Sequence, residues 1–209
     1  MTKVYFTRHG ETVWNKQGRF QGHKDSDLTD KGIEAAELLA YRIEDIELDY
    51  IISSPLMRAY KTAQIVRGNK NVEIIKHDGL KEINLGDFEG MSYAEIKNKH
   101  GDLLAQIEKD PFNNPYPNGE NLRQFYERVV KAFKEILDKY RDKTILIVAH
   151  GGTIKCIEAY MRNFELSKDW IGNVVKNCSL SLIEVDENDR IKEVFYNDTR
   201  HLEGSAVNL

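Results

Sequence analysis

The run Thr144–Ala149 most constrains the fold, because it is continuously apolar after its first residue. Such a run is typical of a strand that is buried on both faces of a parallel sheet. Shorter β-type runs occur at Val4–Thr7, Asp49–Ser53 and Val72–Ile75, and segments with helical spacing of apolar residues separate them. Strands that alternate with helices predict an α/β fold, with a mostly parallel central sheet and helices on both faces.

The helices are predicted from their start signals and apolar stripes. Thr29 is the expected N-cap of one helix, and Pro55 suits the start of another. The expected helical segments after Pro55 are about 56–66, 92–108, 122–140 and the stretch that ends at 160. The segment Thr12–Asp27 carries two glycines and few apolar residues, so we expect an exposed loop there. Two last strands, Ser179–Val185 and Ile191–Tyr196, follow.

The chain of 209 residues shows no linker or repeat, so we expect one domain over residues 1–209, with the segment 80–120 as a cap of helices and loops over the site. The net charge of −4 argues against nucleic acid as a partner. No run approaches the roughly 20 apolar residues of a membrane span. Two cysteines without a CxxC spacing and no visible export signal predict a cytoplasmic protein. The oligomeric state stays open, and a homodimer is allowed.

Two histidines directly follow predicted strands. His9 follows the first strand, with Arg8 before it and a glycine after it, and His150 follows Thr144–Ala149 and precedes Gly151. In parallel sheets, ligands bind beyond the carboxyl ends of the strands. The pattern therefore places both histidines in one pocket.

Arginines near the same strand ends indicate a pocket for a phosphate group. Arg8 adjoins the end of the first strand, and Arg58 lies in the first turn of the helix after Pro55. The N-terminus of a helix favours an anion, and a guanidinium group can bind two phosphoryl oxygens at once. A neutral histidine attacks phosphorus well, so His9 is the expected nucleophile.

Other nucleophiles and a metal site fit the pattern less well. Ser53 and Ser54 have no base beside them in the sequence and no G-x-S-x-G motif. Cys156 falls inside a predicted helix, which favours burial over reactivity. The histidines match no zinc spacing and have arginines for neighbours, so we predict no metal and no cofactor.

Motifs along the whole chain resemble those of the histidine phosphatase superfamily, which is also called phosphoglycerate-mutase-like, and in particular its small bacterial phosphatase branch. Each motif alone is weak, and their common order is the specific signal. The matching pieces are Arg8-His9-Gly10-Glu11-Thr12 with Asn15, Gln21-Gly22, Asp27-Leu28-Thr29 with Gly32, Ser53-Ser54-Pro55 with Arg58 and Thr62-Ala63, Glu82, Gly86, Phe88-Glu89-Gly90, Gly119-Glu120 and His150-Gly151-Gly152.

The resemblance implies a role for each matching residue. His9 becomes the transient phosphohistidine, and Glu82 protonates the leaving oxygen and later activates water. The residues implied to bind the phosphoryl group or the substrate are Arg8, Arg58, His150, Asn15, Gln21, Gly22 and Gly151. The implied reaction is the hydrolysis of a small phosphorylated metabolite without a metal.

Several alternatives stay open at this stage. Asp78, Asp87 and Glu89 compete with Glu82 for the role of the acid, and Glu120 could line the site or be structural. A mutase-type transfer of the phosphoryl group and a non-catalytic module that binds a phosphorylated ligand compete with the phosphatase. Four aromatic residues could form an apolar wall for the substrate or belong to the core: Phe88, Tyr93, Phe112 and Tyr116.

Overall fold

The computed structural model describes residues 1–163 and 175–203, and a six-stranded sheet lies at the centre of this part of the chain. The strands are β1 (Thr2–Arg8), β2 (Tyr50–Ser53), β3 (Glu73–Lys76), β4 (Thr144–Ala149), β5 (Leu180–Val185) and β6 (Ile191–Asp198). The helices are α1 (Val13–Lys16), α2 (Asp30–Arg42), α3 (Met57–Arg67), α4 (Tyr93–Lys109), α5 (Leu122–Lys139) and α6 (Gly151–Met161). The domain predicted over 1–209 also includes 164–174 and 204–209, which lie outside the described residues.

The strand order is β3-β2-β4-β1-β5-β6. The first four of these strands run parallel to one another, whereas β5 pairs antiparallel with β1, and β6 pairs antiparallel with β5. The predicted class, a mostly parallel sheet with helices around it, is confirmed. The apolar strand β4 lies between β2 and β1, so the carboxyl ends of these three strands meet at one edge.

Helices cover both faces of the sheet. Alternate side chains of β4 point to opposite faces and therefore pack into two different cores. Ile145 and Ile147 pack in one core with apolar residues of α5 and α6, and Leu146 and Val148 pack in the other with residues of α2 and α3. Thr29 caps α2 as predicted, and its hydroxyl accepts a hydrogen bond from the backbone N–H of Gly32. Within the described ranges, no helix is long and apolar enough to cross a membrane.

The prediction of an exposed loop at Thr12–Asp27 was wrong in part. The segment contains the short helix α1, capped by Thr12, and it buries Gln21 and Gly22. The loop has few apolar side chains to bury, but its backbone carbonyls accept hydrogen bonds from the buried Arg58. Long-range polar contacts of this kind leave no mark on local hydrophobic patterning.

Candidate active site

A cavity of about 300 Å³ lies at the carboxyl ends of β1, β2 and β4. Eight of the nine predicted site residues line it: Arg8, His9, Asn15, Gln21, Gly22, Arg58, Glu82 and Gly151. The ninth, His150, is fully buried behind His9, and the two imidazole rings meet edge to face with centroids 5.2 Å apart. The strand ends therefore bring together residues from distant parts of the chain.

His9 is held in one orientation by its own backbone neighbours. Its Nδ1 lies 2.8 Å from the carbonyl oxygen of Gly10. Since a carbonyl can only accept a hydrogen bond, Nδ1 carries the proton, and the lone pair is left on Nε2. Behind the ring, the carbonyl of His9 accepts a 2.6 Å hydrogen bond from Asn177 Nδ2, and the backbone N–H of His9 donates to Ala149.

Both buried histidines are kept neutral by their surroundings. Burial, with the positive charges of Arg58 and Arg8, lowers the pKa of His9 well below its usual value of 6.5. Burial is also the main reason that the pKa of His150 is lowered, with Arg58 and His9 adding to it. The Nε2 atom of His150 is 2.7 Å from Ser54 Oγ, which fixes this second ring in place.

We therefore expect both rings to stay neutral at pH values well below 6.5. Because a histidine with a lowered pKa is protonated only at more acidic pH, ¹⁵N NMR of histidine-labelled protein should show the neutral imidazole signals of His9 and His150 at pH 6.5. Titration of His9 near pH 6.5 would contradict the picture.

Arg58 is almost completely buried, which is unusual for an arginine: its side chain is only 1% exposed. Its guanidinium donates to the carbonyls of Gly22 and Lys24 and forms a 2.8 Å ion pair with Asp25. Burial lowers the pKa of Arg58, and the carboxylate of Asp25 opposes that effect. Arg58 therefore holds the loop that carries Gly22, in addition to bringing positive charge to the cavity.

Several buried polar atoms of the site have no protein partner. Within the described ranges, four buried side-chain polar atoms lack one, and three of them are Arg8 Nε, Arg58 Nε and His150 Nδ1. Orphaned buried polar atoms cost free energy, so their concentration in one place calls for an explanation. A bound anion with several oxygens is a group that could accept hydrogen bonds from them.

Of the four candidate acids, Glu82 is the one whose side chain lines the cavity. Its two oxygens accept hydrogen bonds from the backbone N–H groups of Ile83 and Gly152, each at 3.0 Å. The side chains of its three rivals are engaged elsewhere. Asp78 pairs with Lys81 at 2.6 Å, Asp87 accepts from Asn118, and Glu89 accepts from backbone N–H groups of residues 23, 24 and 85.

Two glycines let Glu82 and Glu89 approach the backbone closely. A Cβ atom on Gly152 would lie 2.4 Å from Glu82 Oε1, and one on Gly22 would lie 2.1 Å from Glu89 Oε1. Gly22 also has a φ of +57°, which favours glycine. Asn15 borders the same loop, and its side-chain oxygen accepts from Thr12, which leaves its NH₂ group as the donor for a ligand.

The rest of the cavity wall was not predicted from the sequence, apart from Tyr116 and Gly152. The additional lining residues are Arg19, Phe20, Ile83, Leu85, Leu122, Phe125, Gly152 and Lys155. Of the four candidate aromatic residues, Tyr116 lines the cavity, Phe88 and Phe112 pack into cores, and Tyr93 is exposed. In the part of the chain that the structure describes, no group of three or more potential metal ligands is placed to hold a metal ion.

Comparisons with known proteins identify a family and similar structures. A model of the histidine phosphatase superfamily (branch 1) matches residues 4–199. The chain is 34% identical over 187 residues to phosphoserine phosphatase 1 of Hydrogenobacter thermophilus, which covers 90% of this chain and 88% of the relative. Among solved structures, Bacillus stearothermophilus YhfR matches with a TM-score of 0.90 and 35% identity, covering 97% of this chain and 100% of that one.

A second solved structure was determined with a phosphorylated molecule. It is a phosphoserine phosphatase of Entamoeba histolytica in complex with 3-phosphoglyceric acid, with a TM-score of 0.83 and 28% identity, covering 97% of this chain and 100% of that one. These similarities extend over nearly the whole chain.

Proposed function

The chain belongs to branch 1 of the histidine phosphatase superfamily, and from this premise we propose that it hydrolyses a small phosphomonoester through a phosphohistidine formed on His9. One observation carries the proposal beyond family membership. A buried, neutral His9 with its lone pair on Nε2 stands beside three orphaned polar atoms, which belong to Arg8, Arg58 and His150. That arrangement combines a nucleophile with a receptor for phosphoryl oxygens.

In the proposed first step, Nε2 of His9 attacks phosphorus while the bond to the leaving oxygen breaks. Arg8, Arg58 and His150 donate to the equatorial oxygens, whose charge they stabilise in the transition state. Glu82 gives its proton to the departing alkoxide. In the second step, Glu82 takes a proton from water, the water attacks phosphorus, and phosphate leaves His9 with its nitrogen restored.

We also assign Asn15, Gln21, Gly22 and Gly151 to the proposed phosphate-binding wall, because all four line the cavity. The segment 80–120 is proposed as the cap of a single domain, because it supplies Glu82, Ile83, Leu85 and Tyr116 to the cavity. A cytoplasmic location is also proposed, since both cysteines are free, buried thiols and reduced thiols are typical of that compartment.

The wall beyond the phosphate site favours one kind of alcohol. It is mostly apolar, and its two further cations, Arg19 and Lys155, face Glu95 and Glu158 at 2.8 and 2.9 Å. Among the lining residues that the structure describes, Glu82 is the one carboxylate, and two backbone N–H groups already engage it. We therefore propose a substrate whose alcohol is largely apolar and carries no ammonium group, because the described lining residues offer an ammonium no carboxylate other than Glu82.

A panel of phosphomonoesters tests this function. We expect the protein to release inorganic phosphate in the presence of EDTA, with a higher kcat/KM for phenyl phosphate than for phosphoserine. The panel includes 3-phosphoglycerate with its bisphosphorylated primer. Rapid formation of 2-phosphoglycerate with little free phosphate would instead establish a mutase, and binding of phosphate esters without any turnover would establish a non-catalytic module.

A further inference from the structure

The segment that carries Glu82 has no regular secondary structure to hold it. Residues 81–85 connect two 3₁₀ turns, Asp78–Leu80 and Gly86–Phe88, and belong to neither a helix nor a strand. A proton donor must be held within hydrogen-bond reach of the leaving oxygen, and an error of about 1 Å can cost about 10²-fold in rate. Contacts from other parts of the chain must therefore fix this backbone.

Arg128, in the second turn of helix α5, supplies several of these contacts. His23 Nε2 and Thr153 Oγ1 add further hydrogen bonds to the carbonyls of Glu82 and Lys81, at 3.0 and 3.2 Å. The Nη1 atom of Arg128 donates to the carbonyls of Gly79 and Lys81, each at 3.0 Å, and its Nη2 donates to the carbonyl of Glu82 at 3.1 Å. One guanidinium thus spans four residues of backbone that end at Glu82. The rigid fork of an arginine allows this, whereas the single ammonium of a lysine cannot reach all three carbonyls in one geometry.

Glu120 fixes the guanidinium and the far side of the segment together. Its carboxylate accepts from Nε and Nη2 of Arg128, both at 2.8 Å, and also from the backbone N–H of Asn84 at 2.9 Å. The backbone N–H of Glu120 in turn donates to the carbonyl of Asn84. Contacts from this one pair therefore lie on both sides of Glu82 along the chain.

We propose that Arg128 and Glu120 are positioning residues, which hold the carboxyl group of Glu82 within hydrogen-bond distance of the leaving oxygen. Neither side chain lines the cavity, so both act through the backbone that carries the acid. The inference rests on the proposed function. It also assigns a role to Glu120, for which the sequence allowed either a place in the lining of the site or a structural role.

The experiment compares two substrates in Arg128→Lys, Glu120→Gln and Glu82→Gln variants. p-Nitrophenol leaves as a stable anion and gains little from a proton donor, whereas the alcohol of an alkyl phosphate requires one. We expect Arg128→Lys and Glu120→Gln to lower kcat/KM for an alkyl phosphate by about 10²-fold, and kcat/KM for p-nitrophenyl phosphate by only a few fold. Glu82→Gln should show the same selectivity to a larger extent.

Arg123→Lys is the matched control, because Arg123 is exposed on the same helix and should leave both values of kcat/KM unchanged. Thermal unfolding of each variant separates misfolding from misplacement, and Glu120→Gln keeps the shape of the side chain if Arg128→Lys folds poorly. Suppose that Glu82→Gln is selective and that Arg128→Lys and Glu120→Gln fold. The proposal is then overturned if those two variants lose kcat/KM equally on both substrates, or lose none. If Glu82→Gln shows no selectivity between the two substrates, Glu82 is not the proton donor, and this inference fails with it. If the wild-type protein releases no phosphate, the proposed function itself is refuted.

Discussion

Replacement of His9 by alanine is expected to lower kcat for phosphomonoester hydrolysis by about 10⁴-fold or more, because it removes the atom that forms the covalent intermediate. The remaining pocket would still bind the phosphate group through Arg8, Arg58 and His150. KM should therefore change far less than kcat. Steady-state phosphate release with phenyl phosphate measures both constants.

His100→Ala is the control for this variant, because it makes the same substitution at an exposed histidine outside the cavity. Its activity should match that of the wild type. A His9→Ala protein that is folded and keeps its kcat within about tenfold of the wild type would mean that water attacks phosphorus directly.

Replacement of Arg58 by alanine is expected to lower kcat/KM by about 10³-fold, since it removes a buried positive charge from the developing phosphoryl transition state. The same change removes the guanidinium that pairs with Asp25 and that donates to the carbonyls of Gly22 and Lys24. We therefore also expect the free energy of unfolding to fall by about 1–3 kcal/mol. Initial rates and denaturant unfolding measure the two effects separately.

Two matched variants separate charge from folding at this position. Arg58→Lys retains the positive charge and loses the fork, so its kcat/KM should lie between those of the wild type and Arg58→Ala. Arg67→Ala changes an arginine at the other end of α3 and should leave catalysis unaltered. Comparable loss of activity in Arg67→Ala would show that the effect comes from the helix and not from charge in the cavity.

The fold could be predicted because its signals are local. The apolar strand β4, the cap at Thr29 and the stripe on α5 each specify an element within a few residues of sequence. The two histidines could be placed together as well, because both follow strands whose carboxyl ends share one edge of a parallel sheet.

The rest of the site depends on contacts between distant segments. Nothing near Asp25 in the sequence indicates that it pairs with Arg58, which lies 33 residues away. The apolar stripe on α5 predicts a core, and it cannot show that Leu122 and Phe125 also line a cavity. The contacts that Arg128 makes with the Glu82 segment depend on the conformation of an irregular loop, which hydrophobic periodicity does not specify.

Acid would hydrolyse a phosphohistidine. The most direct measurement of the central claim is therefore a rapid alkaline quench of enzyme during turnover of a ³²P-labelled ester, followed by peptide mapping. The account predicts an alkali-stable, acid-labile label on the peptide that contains His9, and no label in His9→Ala. Full turnover of the substrate with no label on His9, or label on another residue, would contradict it.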